Sequence, residues 1–157
     1  MRWGMVLLAV VVSATGGSFA WAQESLACDH DQQTFRCVGF IRNYDADTVT
    51  VKIPNVHPLL GDQITVRVRG VDAPEMRGKS PCERDAALRG KEFVALELQK
   101  AKRIDLSDVG RDKYFRILAN VLYDGRDLAL ELKRRGLAKD YAGGKKSPGD
   151  WCAVPLK

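Results

Sequence analysis

Three short stretches of this 157-residue chain concentrate side chains that can do chemistry. Asp45-Ala46-Asp47-Thr48 sets two carboxylates two residues apart in a polar break. Residues 67 to 75 run Arg67, Val68, Arg69, Gly70, Val71, Asp72, Ala73, Pro74, Glu75, with cations first and carboxylates after the glycine. Asp112-Lys113-Tyr114-Phe115-Arg116 is a charged turn with two aromatics. Carboxylates are hard oxygen donors suited to a hard cation. Guanidinium stays charged at any working pH and grips phosphate oxygens in pairs. A strand ending in fixed charges of both signs suits a site that must hold a metal and a phosphate together. The same stretch also reads as an exposed edge strand with a solvated charged loop.

The elements that must position these groups follow from periodicity. Ile64, Val66 and Val68 alternate as one face of a strand that breaks at Gly70 and Pro74. On strand parity Arg67 and Asp72 point to opposite faces, so Gly70 is expected to bend or bulge the chain. Upstream, residues 35 to 42 and 48 to 53 form a predicted hairpin whose connection carries Asp45 and Asp47, with Val49, Val51 and Ile53 buried. Residues 54 to 62 read as a loop. Ser80-Pro81-Cys82-Glu83 is a capping box with proline in the first turn, which starts a helix running to about Lys100. Leu88, Phe93, Val94, Ala95, Leu96 and Leu98 supply its apolar residues, and Gly90 weakens it. Residues 103 to 109 and 115 to 123 are the fourth and fifth strands, the latter ending at the turn Asp124-Gly125. Asp127 caps a second helix that Gly136 stops. The predicted class is mainly β with helices, α+β: a five-stranded Greek-key barrel of the OB type with one long inserted helix and a second C-terminal helix.

At the N-terminus, Arg2 precedes the apolar run Val6 to Val12, and Ala20-Trp21-Ala22 offers a small-residue cleavage site. Residues 1–22 therefore read as a cleaved signal peptide, the run being shorter than the ~20 residues a membrane span needs. The expected organisation is an N-terminal arm at 23–34, a domain at 35–141 and a tail at 142–157. An exported protein, periplasmic or extracellular, is expected, with no stable membrane association after cleavage and a monomeric state. Without Arg2 the chain carries 24 basic against 20 acidic residues, a net charge of +4, which fits a polyanionic partner without establishing one. Cys28, Cys37, Cys82 and Cys152 make an even count, and of the three connectivities open to them we favour Cys28–Cys37 with Cys82–Cys152, the second tethering the tail. A zinc site is disfavoured, because no CxxC pair exists and His30 and His57 are the only histidines.

Taken in order, the three stretches resemble the Asp-Gly-Asp-Thr, Arg-x-x-x-x-Asp-[Thr/Ala]-Pro-Glu and Asp-Lys-Tyr-Gly-Arg motifs of the staphylococcal nuclease (thermonuclease) family. The resemblance covers about residues 35 to 141 and continues through Asp124-Gly125 and Gly136-Leu137-Ala138. It implies Ca²⁺ as cofactor, with Asp47, Asp72 and the backbone carbonyl of Ala73 as ligands and Asp45 orienting the site from behind them. Arg67 and Arg116 look like the clamp on the scissile phosphate, and Glu75 like the general base for the attacking water. Lys113 and Tyr114 resemble residues that contact the nucleotide's other phosphate, and Tyr141 could stack on a base, although the family's aromatic residues here are offset from it. Phe115 stands where the family has glycine. If that position has positive φ, the substitution strains the turn and re-aims Arg116. Ala46 for glycine and Ala73 for threonine are milder departures.

The function this implies is hydrolysis of phosphodiester bonds in DNA and RNA with low sequence specificity, leaving 3′-phosphate ends. An inactive nucleic-acid-binding OB-fold domain is the alternative. Asp45 to Val49 also matches the Asp-x-Asp-x-[Thr/Val] pattern of haloacid-dehalogenase-type phosphatases, but Ile41-Arg42-Asn43-Tyr44 is not the apolar strand that fold needs. Glu131-Leu132-Lys133 is a weak restriction-nuclease match in a helical pattern, and both histidines lie outside all three stretches.

Overall fold

A computed structural model of the chain describes residues 28–144 and 151–152. The expected signal peptide, the arm before Cys28 and most of the tail lie outside the described residues. Among the described residues the architecture is α+β, with three helices against a mainly sheet core and no closed barrel. The strands are β1 (Gly39–Asn43), β2 (Thr48–Lys52), β3 (Ile64–Val68), β4 (Val71–Asp72), β5 (Ile104–Arg111), β6 (Ile117–Tyr123), β7 (Arg126–Asp127) and β8 (Lys139–Asp140). The helices are α1 (Pro58–Gly61), α2 (Pro81–Lys100) and α3 (Leu128–Arg134).

The main sheet has the order β1-β2-β3-β6-β5, with β7 on β6. β3 and β6 run parallel, and the other ladders of this sheet are antiparallel. The parallel pair is possible because α2 and β5 carry the chain across between them. At the gap between β1 and β5, Val38 N–H donates to Ile104 O, and Phe35 and Leu106 exchange backbone hydrogen bonds. These contacts narrow the opening without a strand ladder from β1 to β5. β4 pairs with β8 in a separate two-stranded sheet, which brings the C-terminal segment beside the end of β3.

Val49, Val51, Val66, Val68, Leu106, Val121 and Tyr123 fill the sheet side of the core, with Val94, Leu98, Leu128 and Leu132 from the helices. β1 begins at Gly39 rather than Phe35, because Cys37 takes φ 54 and breaks the extended path. Cys28–Cys37 and Cys82–Cys152 are the two disulfides. The stretch read as a loop before β3 contains α1, whose N-cap is His57: its Nδ1 accepts from Leu59 N–H. Asp124 and Gly125 both take positive φ in the tight β6–β7 hairpin, as a type I′ turn requires.

α2 starts as its capping box dictates, with Ser80 Oγ accepting from Glu83 N–H and Pro81 at the first position. Its buried face is Ala86, Ala87, Gly90, Val94 and Leu98. Leu88 and Leu96 instead face solvent, so the helix is rotated from the phase their apolarity suggests. The reason is Gly90, whose missing side chain lets the helix sit on the β1–β2 connection: a Cβ there would lie 2.9 Å from Ala46 Cβ. α3 is capped by Asp127, which accepts from Leu130 N–H. It ends in a Schellman motif, with Leu137 N–H on Leu132 O and Gly136 N–H on Lys133 O.

Gly90→Ala should therefore destabilise the fold despite the ~1 kcal/mol by which alanine is the better helix former. Overpacking costs about 1 to 3 kcal/mol, and Ala46→Gly in the same chain should recover most of the loss. Urea unfolding of both single variants and the double variant measures the coupling; additive effects would contradict the close contact.

Candidate active site

The site is built where the β1–β2 connection, the end of β3 and the β5–β6 turn meet. Asn43 fixes the first of these: its Nδ2 donates to Asp45 O and to Lys91 O in α2, at 2.9 Å each. Asp45 Oδ1 then accepts from Asp47 N–H at 3.1 Å, closing an Asx turn. Asp45 and Asp47 are held 8% and 5% exposed, far below what solvated carboxylates show.

Arg67, also 8% exposed, faces them from β3. Its Nη1 pairs with Asp47 Oδ1 and donates to Asp47 O, while its Nη2 donates to Val71 O at 2.9 Å and lies 3.5 Å from Asp72 Oδ1. The bend at Gly70, with φ 78, is what lets Asp72 meet Arg67 despite strand parity. Ala73 donates its N–H to Asp47 Oδ2 at 2.7 Å, and Thr48 Oγ1 lies 3.2 Å from Asp47 Oδ1. The Asp47 carboxyl is raised from 3.8 to about 6: burial pushes it up most, Arg67 pulls it down, Asp45 adds to the rise, and the Ala73 N–H opposes it without cancelling it. Asp47 is thus a buried anion short of positive charge.

The β5–β6 turn is over-determined. Asp112 Oδ1 accepts from Tyr114 N–H and Arg116 N–H, its Oδ2 accepts from Arg116 Nε at 2.7 Å, and its backbone bonds Arg116 O and Phe115 N–H. Burial raises the Asp112 carboxyl, but the hydrogen bonds from Arg116 and Tyr114 outweigh it and hold the group below 3.8. Within this frame Phe115 takes φ 63, the left-handed conformation that glycine adopts freely and phenylalanine does not. Arg116 is oriented by Asp112, with its guanidinium carbon 5.6 Å from the Tyr114 ring centroid.

A cleft of about 970 Å³ joins these parts, lined among others by Asp45, Asp47, Arg67, Glu75, Lys113, Tyr114, Arg116 and Tyr141. Asp72 contacts Arg67 and is absent from that lining. Glu75 is exposed at the cleft, Ala73 meets Asp47 through its N–H, and Tyr141 is fixed by its N–H to Gly70 O and its hydroxyl to Gly144 O. Three contributors were not picked out from the residues alone. Tyr44 and Thr48 line the cleft, and Asn43 pins the acidic turn to α2. The sequence signal for Asn43 was its place at the head of a polar turn, where asparagine's short amide bonds nearby backbone.

Asp47 dictates a pH dependence. Its folded value lies above its unfolded one, so the stability it contributes is full below about pH 4 and is lost as pH rises through about 6. Without divalent cations, the stability of the parent relative to Asp47→Asn should fall by roughly 2 to 3 kcal/mol between pH 4 and 7, read by urea titrations at each pH; a flat difference would refute the burial of an ionising carboxylate. Phe115→Gly should stabilise the protein by up to about 1 kcal/mol, because glycine relieves the left-handed strain, and a lowered Tm would argue against strain at this turn.

The family model described as "Staphylococcal nuclease homologue" matches residues 65–150, which takes in Arg67, Asp72, Glu75, the Asp112–Arg116 turn and Tyr141. Among curated proteins, the chain is 37% identical over 107 residues to endonuclease YncB of Bacillus subtilis, an overlap of 62% of this chain and 44% of that protein. It is 30% identical over 104 residues to the probable endonuclease lcl3 of Schizosaccharomyces japonicus, covering 61% and 44%. A third relative, the SPbeta prophage-derived endonuclease YokF of Bacillus subtilis, is 35% identical over 107 residues, covering 62% and 32%. The matched region spans less than half the length of these relatives. On the family match, which extends over more than half of the sequence and contains most of the cleft, the chain belongs to the staphylococcal nuclease homologue family.

Proposed function

We propose that the chain is an exported, calcium-dependent nuclease that hydrolyses phosphodiester bonds of DNA and RNA with low sequence specificity and leaves 3′-phosphate ends. The observation that carries this is one cleft in which Arg67, Arg116 and Glu75 surround a buried acidic turn. Membership of the family and the endonuclease names of its relatives support the reaction class. The sheet order and the near-contact of Phe35 to Val38 with β5 fit a partly open OB barrel. Residues 35–141 would form the nuclease domain, monomeric and released from the membrane once residues 1–22 are cut. The long-range Cys82–Cys152 disulfide suits an oxidising compartment. Among the described residues no helix is long and apolar enough to cross a membrane.

The donor set fits a hard divalent cation. Asp47 and Asp72 reach the same guanidinium, so their oxygens converge on one position of positive charge, and Asp47 carries a burial-raised pKa that such charge would lower. Among the described residues no group of three acidic, histidine or cysteine side chains makes a ready cage. Backbone oxygen, with Ala73 the candidate, and water would complete the shell. Bound there, Ca²⁺ would acidify a water and offset charge building on the phosphate.

The chain's own residues do the rest. Arg67 and Arg116 hold the non-bridging phosphate oxygens and stabilise the pentacovalent transition state. Glu75 takes one proton from the attacking water as its oxygen bonds to phosphorus and the P–O5′ bond breaks. The 5′ oxygen takes a proton from a solvent water as it leaves, Glu75 returns its own to solvent, and the phosphate stays on the 3′ oxygen. Lys113 and Tyr114 sit where a neighbouring phosphate would pass, and Tyr141 where a base would. Contacts to phosphate rather than base edges give low specificity and a steep salt dependence. The binding-only alternative draws on Arg116, whose Nε is already engaged by Asp112.

Single-stranded DNA should be cut by the purified mature chain with Ca²⁺ and left whole in EGTA. Arg116→Ala should lower kcat by about 10²- to 10³-fold, and Glu75→Gln should lower kcat while nucleotide binding persists. Binding without cutting in the parent would favour the binding-only domain. An unchanged kcat in Glu75→Gln would remove Glu75 from the mechanism.

A further inference from the structure

A buried tryptophan far along the chain is tied to the acidic site through one ladder of backbone pairs. Cys152 joins Cys82 in the first turn of α2, across 70 residues of sequence. Ser80, the N-cap of that helix, sets its Oγ 3.5 Å from Cys82 Sγ and 3.8 Å from Cys152 Sγ. The disulfide thus anchors the neighbouring Trp151 to a long helix, and the indole is 7% exposed. Over that ring stands Lys139, its Nζ 4.5 Å from the centroid. Lys139 belongs to β8, where it lies directly opposite Asp72 in the antiparallel β4–β8 ladder. Side chains of such a pair leave the sheet on one face, with Cβ atoms about 5 Å apart. An ammonium on a four-carbon stem can therefore serve the carboxylate or the indole, and here it stands on the indole. Burial of the ring favours that choice, because a cation–π contact strengthens as water is excluded. β4 is two residues long and has β8 as its ladder partner, so what β8 carries bears directly on Asp72.

We propose that Trp151 is a positioning residue for the cation site: clamped by the Cys82–Cys152 disulfide, it holds the Lys139 ammonium so that the lysine does not compete with a divalent cation for Asp72. This rests on the reading of Asp72 as a metal ligand and adds a control that the cleft residues do not supply. Without the clamp the lysine turns to the carboxylate across the ladder, and a charge-assisted hydrogen bond there opposes the metal. A dithiol opens the clamp by exchange. The S–S bond takes up two electrons and two protons, Cys82 and Cys152 become thiols, and the dithiol closes to its own disulfide. Metal binding is then coupled to the oxidation state of the tail. In an exported protein the clamp closes in the oxidising compartment. The chain accordingly binds the cation weakly in the compartment where the cell that makes it keeps its own nucleic acid.

The test is calorimetric titration of residues 23–157 with Ca²⁺. Trp151→Leu should weaken Ca²⁺ binding about ten-fold, the size of one hydrogen bond to a charged group. Adding Lys139→Gln should bring the Kd back to within about two-fold of the parent, whereas Lys139→Gln alone should change the oxidised chain little. Dithiothreitol should weaken binding in the parent but not in Lys139→Gln, an arm that leaves the indole unaltered. Cys82→Ser with Cys152→Ser should reproduce the effect of dithiothreitol, which also opens Cys28–Cys37. Trp151 is the only tryptophan of residues 23–157, so a red shift of its emission on reduction marks the ring leaving its site. An unchanged Kd in Trp151→Leu would overturn the clamp. So would a loss that Lys139→Gln fails to restore, the mark of a merely loosened β4–β8 ladder, or an equal gain from Lys139→Gln in both backgrounds. A parent that binds Ca²⁺ with the same Kd before and after reduction sinks this proposal alone, whereas one that takes up no Ca²⁺ sinks the calcium reading with it.

Discussion

The buried guanidinium of Arg67 is the interaction on which the site depends. Four groups converge on its two terminal nitrogens: the Asp47 carboxylate, the Asp47 carbonyl, the Val71 carbonyl and the Asp72 carboxylate. They come from the β1–β2 connection and from β4, while Arg67 itself stands on β3. One planar cation thus fixes three backbone segments, a task that the forked geometry of arginine performs and a lysine point charge would not. Burying an ion pair is rarely a net gain, but removing one partner leaves the other charge stranded at a cost of about 3 to 5 kcal/mol. The pair therefore defines geometry more than it adds stability.

The frame beneath it is set by close approach. Gly90 lets α2 descend onto Ala46, and Asn43 bonds the same helix through Lys91 O. The acidic turn is consequently pressed between helix and sheet, which is why its carboxylates are buried at all. That burial is what raises the Asp47 pKa. A chain of cause runs from a missing side chain in a helix to the charge state of a carboxylate across the interface.

Much of this was legible in the residues. The capping box of α2, the Asp124-Gly125 turn and the bend at Gly70 follow from local chemistry, which sequence displays directly, whereas the positive φ at residue 115 is suggested only by the glycine that the resembling family carries there. The three motifs could be read as one site because their order and spacing resemble those of the staphylococcal nuclease family; charge alone left a solvated loop equally open. Less legible was whatever depends on tertiary contact. Leu88 and Leu96 look like core in one dimension, yet the Gly90 contact decides the helix phase. β4 and β8 are two-residue strands from distant parts of the chain, too short to show periodicity. α1 hides in a loop because its N-cap is a histidine imidazole, a weak sequence signal. Tyr44 carries no signal in the sequence, because a lone tyrosine in a turn makes no motif.

The saturation of Arg67 has a consequence for how ligands must enter. With both terminal nitrogens occupied by protein oxygens, the guanidinium has little left for a phosphate. Positive charge delivered to Asp47 and Asp72 from elsewhere would weaken their hold and turn the guanidinium outward, toward the cleft in which it already lies. A phosphate drawing Arg67 outward would, in turn, leave the two carboxylates short of a cation. The two events then favour each other, and by linkage each must raise the affinity for the other by the same factor. Arg116 is poised differently, because Asp112 holds its Nε and leaves the terminal nitrogens outside that bond. Arg116 thus keeps its terminal nitrogens outside its bond to Asp112, whereas Arg67 would have to exchange protein oxygens for those of any ligand.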